Sequence, residues 1–419
     1  MTERLTRSGY LALYFFTFWG AALGGIPLGS FSLFPARLLT LGIWLLVAVQ
    51  LNRYVMAWRQ VPKATVFLVF WLFWAVCALL WVAETGPALR DLGNLFMGLS
   101  LVALAPIFLR NQEDKAAKIW MAVFFIFLAL ALVEHITGLH LPISRFSRGA
   151  QPHLAYRPTA AFVNENNFAV FINLSIPFLL AHWRHYPAHR WGVGLGLAAG
   201  IFLLLVTGSR INYAVLLLAL VIYSCFLTPR GKRLRVLAAL LALVLVVGLI
   251  FALTQPLRGQ YMADQLEEGA TALLDLLNPQ GGGYSSNSLA LRLAMLRRGG
   301  EMLQATRGLG VGPGNFETWV AATPSAVVNP HNWWLELASE YGILVFLAYL
   351  TCYGSLTLGI WCRWRHQGHW LSEALALSLA IFPWAALAPS TLLAYAPHWS
   401  LLALALAWWV GGKEESCAS

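Results

Sequence analysis

Runs of about twenty mostly apolar residues recur along nearly the whole chain, as in VLAALLALVLVVGLIFALT at 236–254. Such runs admit few folds. Lipid offers the backbone no hydrogen-bond partner, and a helix of about 20 residues satisfies its own groups while crossing a hydrocarbon core of about 30 Å. The runs do not alternate in polarity, as the strands of an outer-membrane barrel would. With 59% hydrophobic and 11% charged residues, the 419-residue chain has too few charges for a soluble globule. The sequence predicts an all-α polytopic membrane protein.

The runs place helices near 10–28, 31–51, 65–83, 92–109, 117–137, 161–181, 191–207, 211–227, 236–254, 333–360, 371–388 and 392–410, about twelve transmembrane segments. The first lacks a small-residue cleavage pattern and reads as a retained helix. If the segments alternate, Arg4 and Arg7, Arg53, Arg59 and Lys63, Arg110, Lys115 and Lys118, Arg184 and Arg190, Arg230 to Arg235, and Arg363 and Arg365 share one side. By the positive-inside rule that side is cytoplasmic and holds both termini. The chain then forms a single membrane domain, 1–419, with a large outward insertion at 255–331. Within it, 258–277 and 288–304 have helical periodicity, separated by the breaker NPQGGGYSSN. No internal repeat is visible. The five cysteines fall in helices or on the cytoplasmic side, which predicts no disulfide. The net charge of +10 is spread over many loops, which argues against nucleic acid as a partner.

Charge deep in a membrane is costly, so ionisable residues at helix ends are read for function first. Glu84, Asp91, Glu134, Glu165, Arg210, Glu336 and Glu340 all fall near outward ends, which points to a site at the outer face rather than a midplane path. Arg210 stands in TGSRINYA, a tight outward turn. Its planar fork suits phosphate oxygens, and the plain alternative is an arginine snorkelling to the interface. Arg292 opens a predicted helix of the insertion, where helix amides also favour anions; Arg297 and Arg298 could serve instead, or all three could line a solvated face. Arg145, Arg148 and Arg157 crowd a segment without acids, suited to a phosphorylated partner or to anionic membrane lipids.

His331 follows Asn329 and Pro330 where hydrophobicity resumes. Pro330 disfavours helix at Asn329, a plausible cap, so a helix should begin here and project His331 at the water boundary. An imidazole with an ordinary pKa of about 6.5 can move a proton near neutral pH; alternatively it is an interfacial ring beside Trp333 and Trp334. Glu336 and Glu340, four apart, share a face and could hold arginines. In FVNENNFA, Asn164 and Asn166 begin another helix, one as a cap and one for sugar or hydroxyl contacts. RGLGVGPGNFETW carries four glycines, among them Gly310, that permit close backbone approach and a turn folding the insertion back over the membrane. No outward Cys/His cluster or Asp-x-Asp motif appears, so neither metal nor cofactor is expected.

These patterns resemble the O-antigen ligase and polymerase superfamily of inner-membrane glycosyltransferases. The likeness covers the architecture, FVNENNFA, TGSR, the arginine before GLGVGPGNF, and a histidine motif of His, then Asn, Ser or Gln, nine residues, and Gly-x-x-Gly. His331, Asn332 and Gly342 fit that motif, and Val345 replaces its last glycine. The resemblance implies a GT-C-like fold and metal-independent, inverting transfer of O-antigen from undecaprenyl pyrophosphate to lipid A-core at the periplasmic face of a bacterial inner membrane. It assigns His331, Arg210 and Arg292 to catalysis, and the reading of the residues themselves adds Asn332, Asn164, Asn166, Arg145, Arg148, Arg157, Gly310 and Glu336 as candidate substrate contacts. An O-antigen polymerase and a protein O-oligosaccharyltransferase share this pattern and differ in acceptor. A transporter of lipid-linked glycans would need central charges and interrupted helices in repeated positions, which the sequence does not suggest.

Overall fold

The computed structural model describes residues 2–28, 31–50, 55, 58–59, 61–147, 149, 154–254, 288–321, 330–389 and 391–417. The helices are α1 (Thr2–Trp19), α2 (Pro35–Val49), α3 (Pro62–Ala78), α4 (Thr85–Phe108), α5 (Glu113–Thr137), α6 (Glu165–His185), α7 (Arg190–Thr207), α8 (Arg210–Ile222), α9 (Arg233–Thr254), α10 (Ser288–Ala305), α11 (Phe316–Ala321), α12 (Trp333–Gln367), α13 (Trp370–Ala385) and α14 (Ala396–Cys417). Each of the twelve apolar runs holds one of these helices, and α10 and α11 belong to the insertion. Among the described residues, six helical stretches are long and apolar enough to cross a membrane: Thr85–Phe108, Glu113–Thr137, Pro187–Thr207, Arg210–Leu227, Arg230–Thr254 and Trp333–Gln367.

The first run is not one helix. α1 takes in the polar leader from Thr2 and stops at Trp19, because Gly20 and Gly24 adopt positive φ. The rest of the run forms β1 (Ile26–Leu28), paired antiparallel with β2 (Phe31–Leu33), so the second run turns helical only at Pro35. Pro35 and Pro62 each sit in a helix's first turn, where a missing N–H costs nothing.

α6 lies at the centre, buried from Phe168 to His182, with α13 packed along it and α14 along α4. Trp120, Phe124, Phe127, Phe171 and Phe178 fill the interior around α6. α9 is the opposite case: Leu241, Leu245, Val246, Leu249, Ile250 and Leu253 are exposed, a face suited to lipid. A second, small core of Met295, Met302, Val311, Phe316, Val320 and Leu335 seats α10 and α11 on the start of α12. Gly299 permits this, since a Cβ there would lie 2.2 Å from Leu335 Cδ1. The predicted helix at 258–277 and the breaker after it lie outside the described residues.

α12 corrects one expectation. At 35 residues it would be about 52 Å long if straight, beyond a bilayer core, yet it is broken at Gly342, with φ 81° and ψ 172°. The glycine-rich segment fills the break. Val311 N–H donates to Ser339 O at 2.8 Å, Gly312 N–H to Glu340 O at 2.9 Å, and Ile343 N–H to Gly308 O at 2.9 Å. The interruption therefore leaves these backbone groups bonded to protein rather than orphaned.

Candidate active site

The turn from α7 to α8 is held from within. Gly208 caps α7 in the left-handed region, Ser209 N–H donates to Thr207 Oγ1 at 3.3 Å, and Asn212 Nδ2 donates to Ser209 Oγ at 2.9 Å. Asn173 of α6 in turn donates to Asn212 Oδ1 at 2.9 Å, so the central helix fixes the register of the turn. Arg210 is thereby set at the first residue of α8. A cation at a helix N-terminus is repelled by the dipole, a cost that a bound anion would offset.

Arg157 lies against the same turn: a Cβ on Gly208 would sit 3.3 Å from its Cζ. Arg157 Nη1 is 3.8 Å from Glu165 Oε1, and Arg145 Nη2 bonds that same oxygen. Glu165 is the first residue of α6, only 4% exposed, with Asn164 before it as the cap, accepting from Asn167 N–H at 2.9 Å. Asn166 lies half-buried in the first turn. Arg148 lies outside the described residues.

The three insertion arginines separate. Arg297 and Arg298 pair with Glu301 at 3.4 and 2.8 Å, whereas Arg292 turns inward and donates from Nη1 to Leu387 O at 3.2 Å. One residue back, Ala386 O accepts from Trp333 N–H at 3.0 Å, so Arg292 and the start of α12 are fastened to consecutive carbonyls. Carbonyls past the end of α13 carry the negative end of its dipole and suit a cation.

Asn332, not Asn329, is the cap of α12. Its side-chain oxygen accepts from Trp334 N–H at 3.0 Å and Leu335 N–H at 3.3 Å, and Asn329 lies outside the described residues. The helix starts late because His331 has φ 45°, a left-handed conformation rare outside glycine and stored chiefly at functional positions. Burial lowers the pKa of Arg292, and the charge of Arg210 lowers it further. Burial also lowers that of His331 below 6.5, followed by the charges of Arg292 and Arg145. These groups are near enough to act on one another. Arg145, Arg210, Arg292 and His331 form one cationic neighbourhood, beside which Arg157 rests on the turn.

The acidic residues behave differently from expectation. Glu336 accepts from Thr391 Oγ1 and from Leu392 N–H at 3.3 Å, while Glu340 accepts from Gly314 N–H at 3.0 Å and Phe316 N–H at 3.2 Å. They hold loops, and Glu165 holds the arginines. Gly310 is likewise structural: its N–H donates to Thr306 Oγ1 at 3.1 Å, and its carbonyl accepts from Trp81 Nε1 at 2.9 Å. A Cβ there would lie 2.5 Å from Glu340 O, so close packing explains the glycine without a substrate contact. Beside this loop is a cavity of about 280 Å³, lined by Asp91, Asn94, Phe316, Pro330, Glu336 and Thr391 among others. Pro330 lines it, whereas His331, Arg210 and Arg292 do not. Among the described residues no three His, Cys, Asp or Glu side chains are arranged to hold a metal ion.

Sequence reasoning missed Glu165 as the hub of two arginines, and it missed Thr391, Leu387 and the cavity. The first had a signal: Glu165 is the first acid after the arginine-rich stretch that ends near Pro158. The others depend on contacts between residues far apart in the chain.

Residues 195–350, from α7 into α12 and including Arg210, Arg292 and His331, match the family described as O-Antigen ligase. The chain is also similar to the teichuronic acid biosynthesis protein TuaE of Bacillus subtilis (strain 168), 25% identical over 427 residues, covering 97% of this chain and 84% of the relative.

Proposed function

From the O-antigen ligase domain that residues 195–350 carry, we propose that this chain is an inverting, metal-independent glycosyltransferase that moves O-antigen from undecaprenyl pyrophosphate to lipid A-core. The coarser statement, a membrane enzyme of polysaccharide ligase or polymerase type, already follows from the family and its relative. The observation that carries the donor part of this reading is the cationic neighbourhood around a half-buried histidine. It lies at the start of α6, α8 and α12, where helix amides add to the attraction for an anion.

The acceptor hydroxyl attacks the anomeric carbon of the donor sugar as the carbon–oxygen bond to pyrophosphate breaks. The bonding electron pair leaves on the pyrophosphate, where negative charge grows and where Arg210 and Arg292 stabilise it. His331 takes the hydroxyl proton, and its lowered pKa keeps it neutral and able to do so. We place the approach of the acceptor sugar through the cavity that Pro330 lines, one residue before His331 in the chain. We place both termini in the cytoplasm, twelve helices across a bacterial inner membrane, and this site at its periplasmic face, following the loop charges.

A second reading, lengthening of the glycan on its carrier, is favoured by the likeness to a protein named for teichuronic acid biosynthesis. One experiment separates the two. Purified protein in detergent with chelator is given undecaprenyl pyrophosphate-linked glycan and lipid A-core. Glycan joined to lipid A-core supports the ligase, longer glycan on the carrier supports the polymerase, and no product from folded protein overturns both.

A further inference from the structure

Two ion pairs of the cationic neighbourhood end on one atom. Arg145 bonds Glu165 Oε1, and Arg157 Nη1 stands 3.8 Å from the same oxygen. Glu165 is 4% exposed and begins α6, where the positive end of the dipole also favours its charge. A carboxylate oxygen offers guanidinium the same kind of acceptor as a phosphate oxygen. The carboxylate therefore stands among these arginines as an anion would.

We propose that Glu165 is a built-in competitor for the pyrophosphate of the donor: it holds Arg145 and Arg157 in the resting protein, yields them when donor binds, and reclaims them to help expel the spent carrier. This rests on the donor reading above. The geometry suits exchange rather than a fixed strut. Arg145 is on a turn with its side chain 48% exposed, resting on the ring of its neighbour Phe146 at 4.8 Å and otherwise half in solvent. Arg157 lies against Gly208, two residues from Arg210, so it needs little movement to meet an anion bound at that turn. Arginines with no internal counter-charge would hold donor and spent carrier alike, and uniform tight binding lowers KM without raising kcat. Glu165 acts on binding and release. It takes no proton from the acceptor and is a positioning residue.

The test is calorimetric titration of inorganic pyrophosphate into the full-length protein in detergent, beside steady-state transfer with varied donor. Glu165→Gln removes a like charge from the site, so pyrophosphate should bind about tenfold tighter, with donor KM and kcat both lower. Glu165→Asp, which keeps the charge but reaches the arginines less well, should tighten binding by a smaller factor. It serves as the test if Glu165→Gln does not fold. Should the wild type bind pyrophosphate while the folded variant binds no tighter, Glu165 is a structural strut and the proposal falls. Should neither the wild type nor Glu165→Gln bind pyrophosphate, and Arg210→Ala leave transfer unchanged, the donor reading itself fails first.

Discussion

Arg292 Nη1 donates to Leu387 O at 3.2 Å, next to the Ala386 carbonyl that takes the Trp333 amide at 3.0 Å. One short segment after α13 thus positions both an arginine of the insertion and the helix start that carries His331. If those residues act on the reaction, removing either should lower transfer with the fold intact. Arg292→Ala, Arg210→Ala and His331→Ala are each expected to reduce turnover by about 100- to 1000-fold, the effect of deleting one group that stabilises transition-state charge. Arg292→Lys should recover part of the loss, having the charge without the planar fork. Transfer assays on variants matched for thermal stability check this, and wild-type rates for all three alanines would refute the assignment.

The pH dependence follows from the environment of His331. Burial, then Arg292, then Arg145 favour its neutral form, so its pKa lies below 6.5. A base must be unprotonated, so transfer should be level near neutrality and fall as pH drops through that lowered value. Arg145→Gln removes one of the charges and should move the acidic limb to higher pH. A pH–rate profile for the two proteins measures the shift, and a limb moving the other way would contradict it.

Gly342 has a structural duty that the motif alone does not reveal. A Cβ there would lie 2.4 Å from Leu309 O at a residue with φ 81°, so Gly342→Ala must disturb the loop that fills the break. The expected loss is about 1–3 kcal/mol from the backbone conformation alone. Gly354→Ala is the control, in the same helix with nothing within 4 Å of its Cβ, and should be neutral or slightly stabilising. Thermal unfolding in detergent compares the two.

Most of the helices could be read from the sequence because apolar length decides them, whereas their ends could not. α1 stops at Trp19 although apolar residues continue, since Gly20 and Gly24 turn the chain before hydrophobicity falls. Site residues followed the same division. Arg210 and Arg292 stood out as charges in places that needed a reason, and the structure brings them together. Gly310, Asn332 and Glu336 stood out equally, yet their polar groups serve a loop, a helix cap and the Thr391 segment. Residue type at a boundary reveals that a contact exists, and only the fold decides whether protein or ligand makes it.

Asn332 separates these possibilities experimentally. Its side-chain oxygen caps α12 through Trp334 and Leu335, one residue after the left-handed His331. If capping is its task, Asn332→Ser should keep both stability and transfer, because serine caps nearly as well. Asn332→Ala should lose about 1 kcal/mol and, by loosening the helix start, displace His331 and slow transfer. A residue that instead binds the acceptor would make Asn332→Ser lose activity at unchanged stability, with the defect in acceptor KM. Measuring unfolding midpoints and acceptor kinetics for both variants therefore distinguishes a cap that positions His331 from a direct substrate contact.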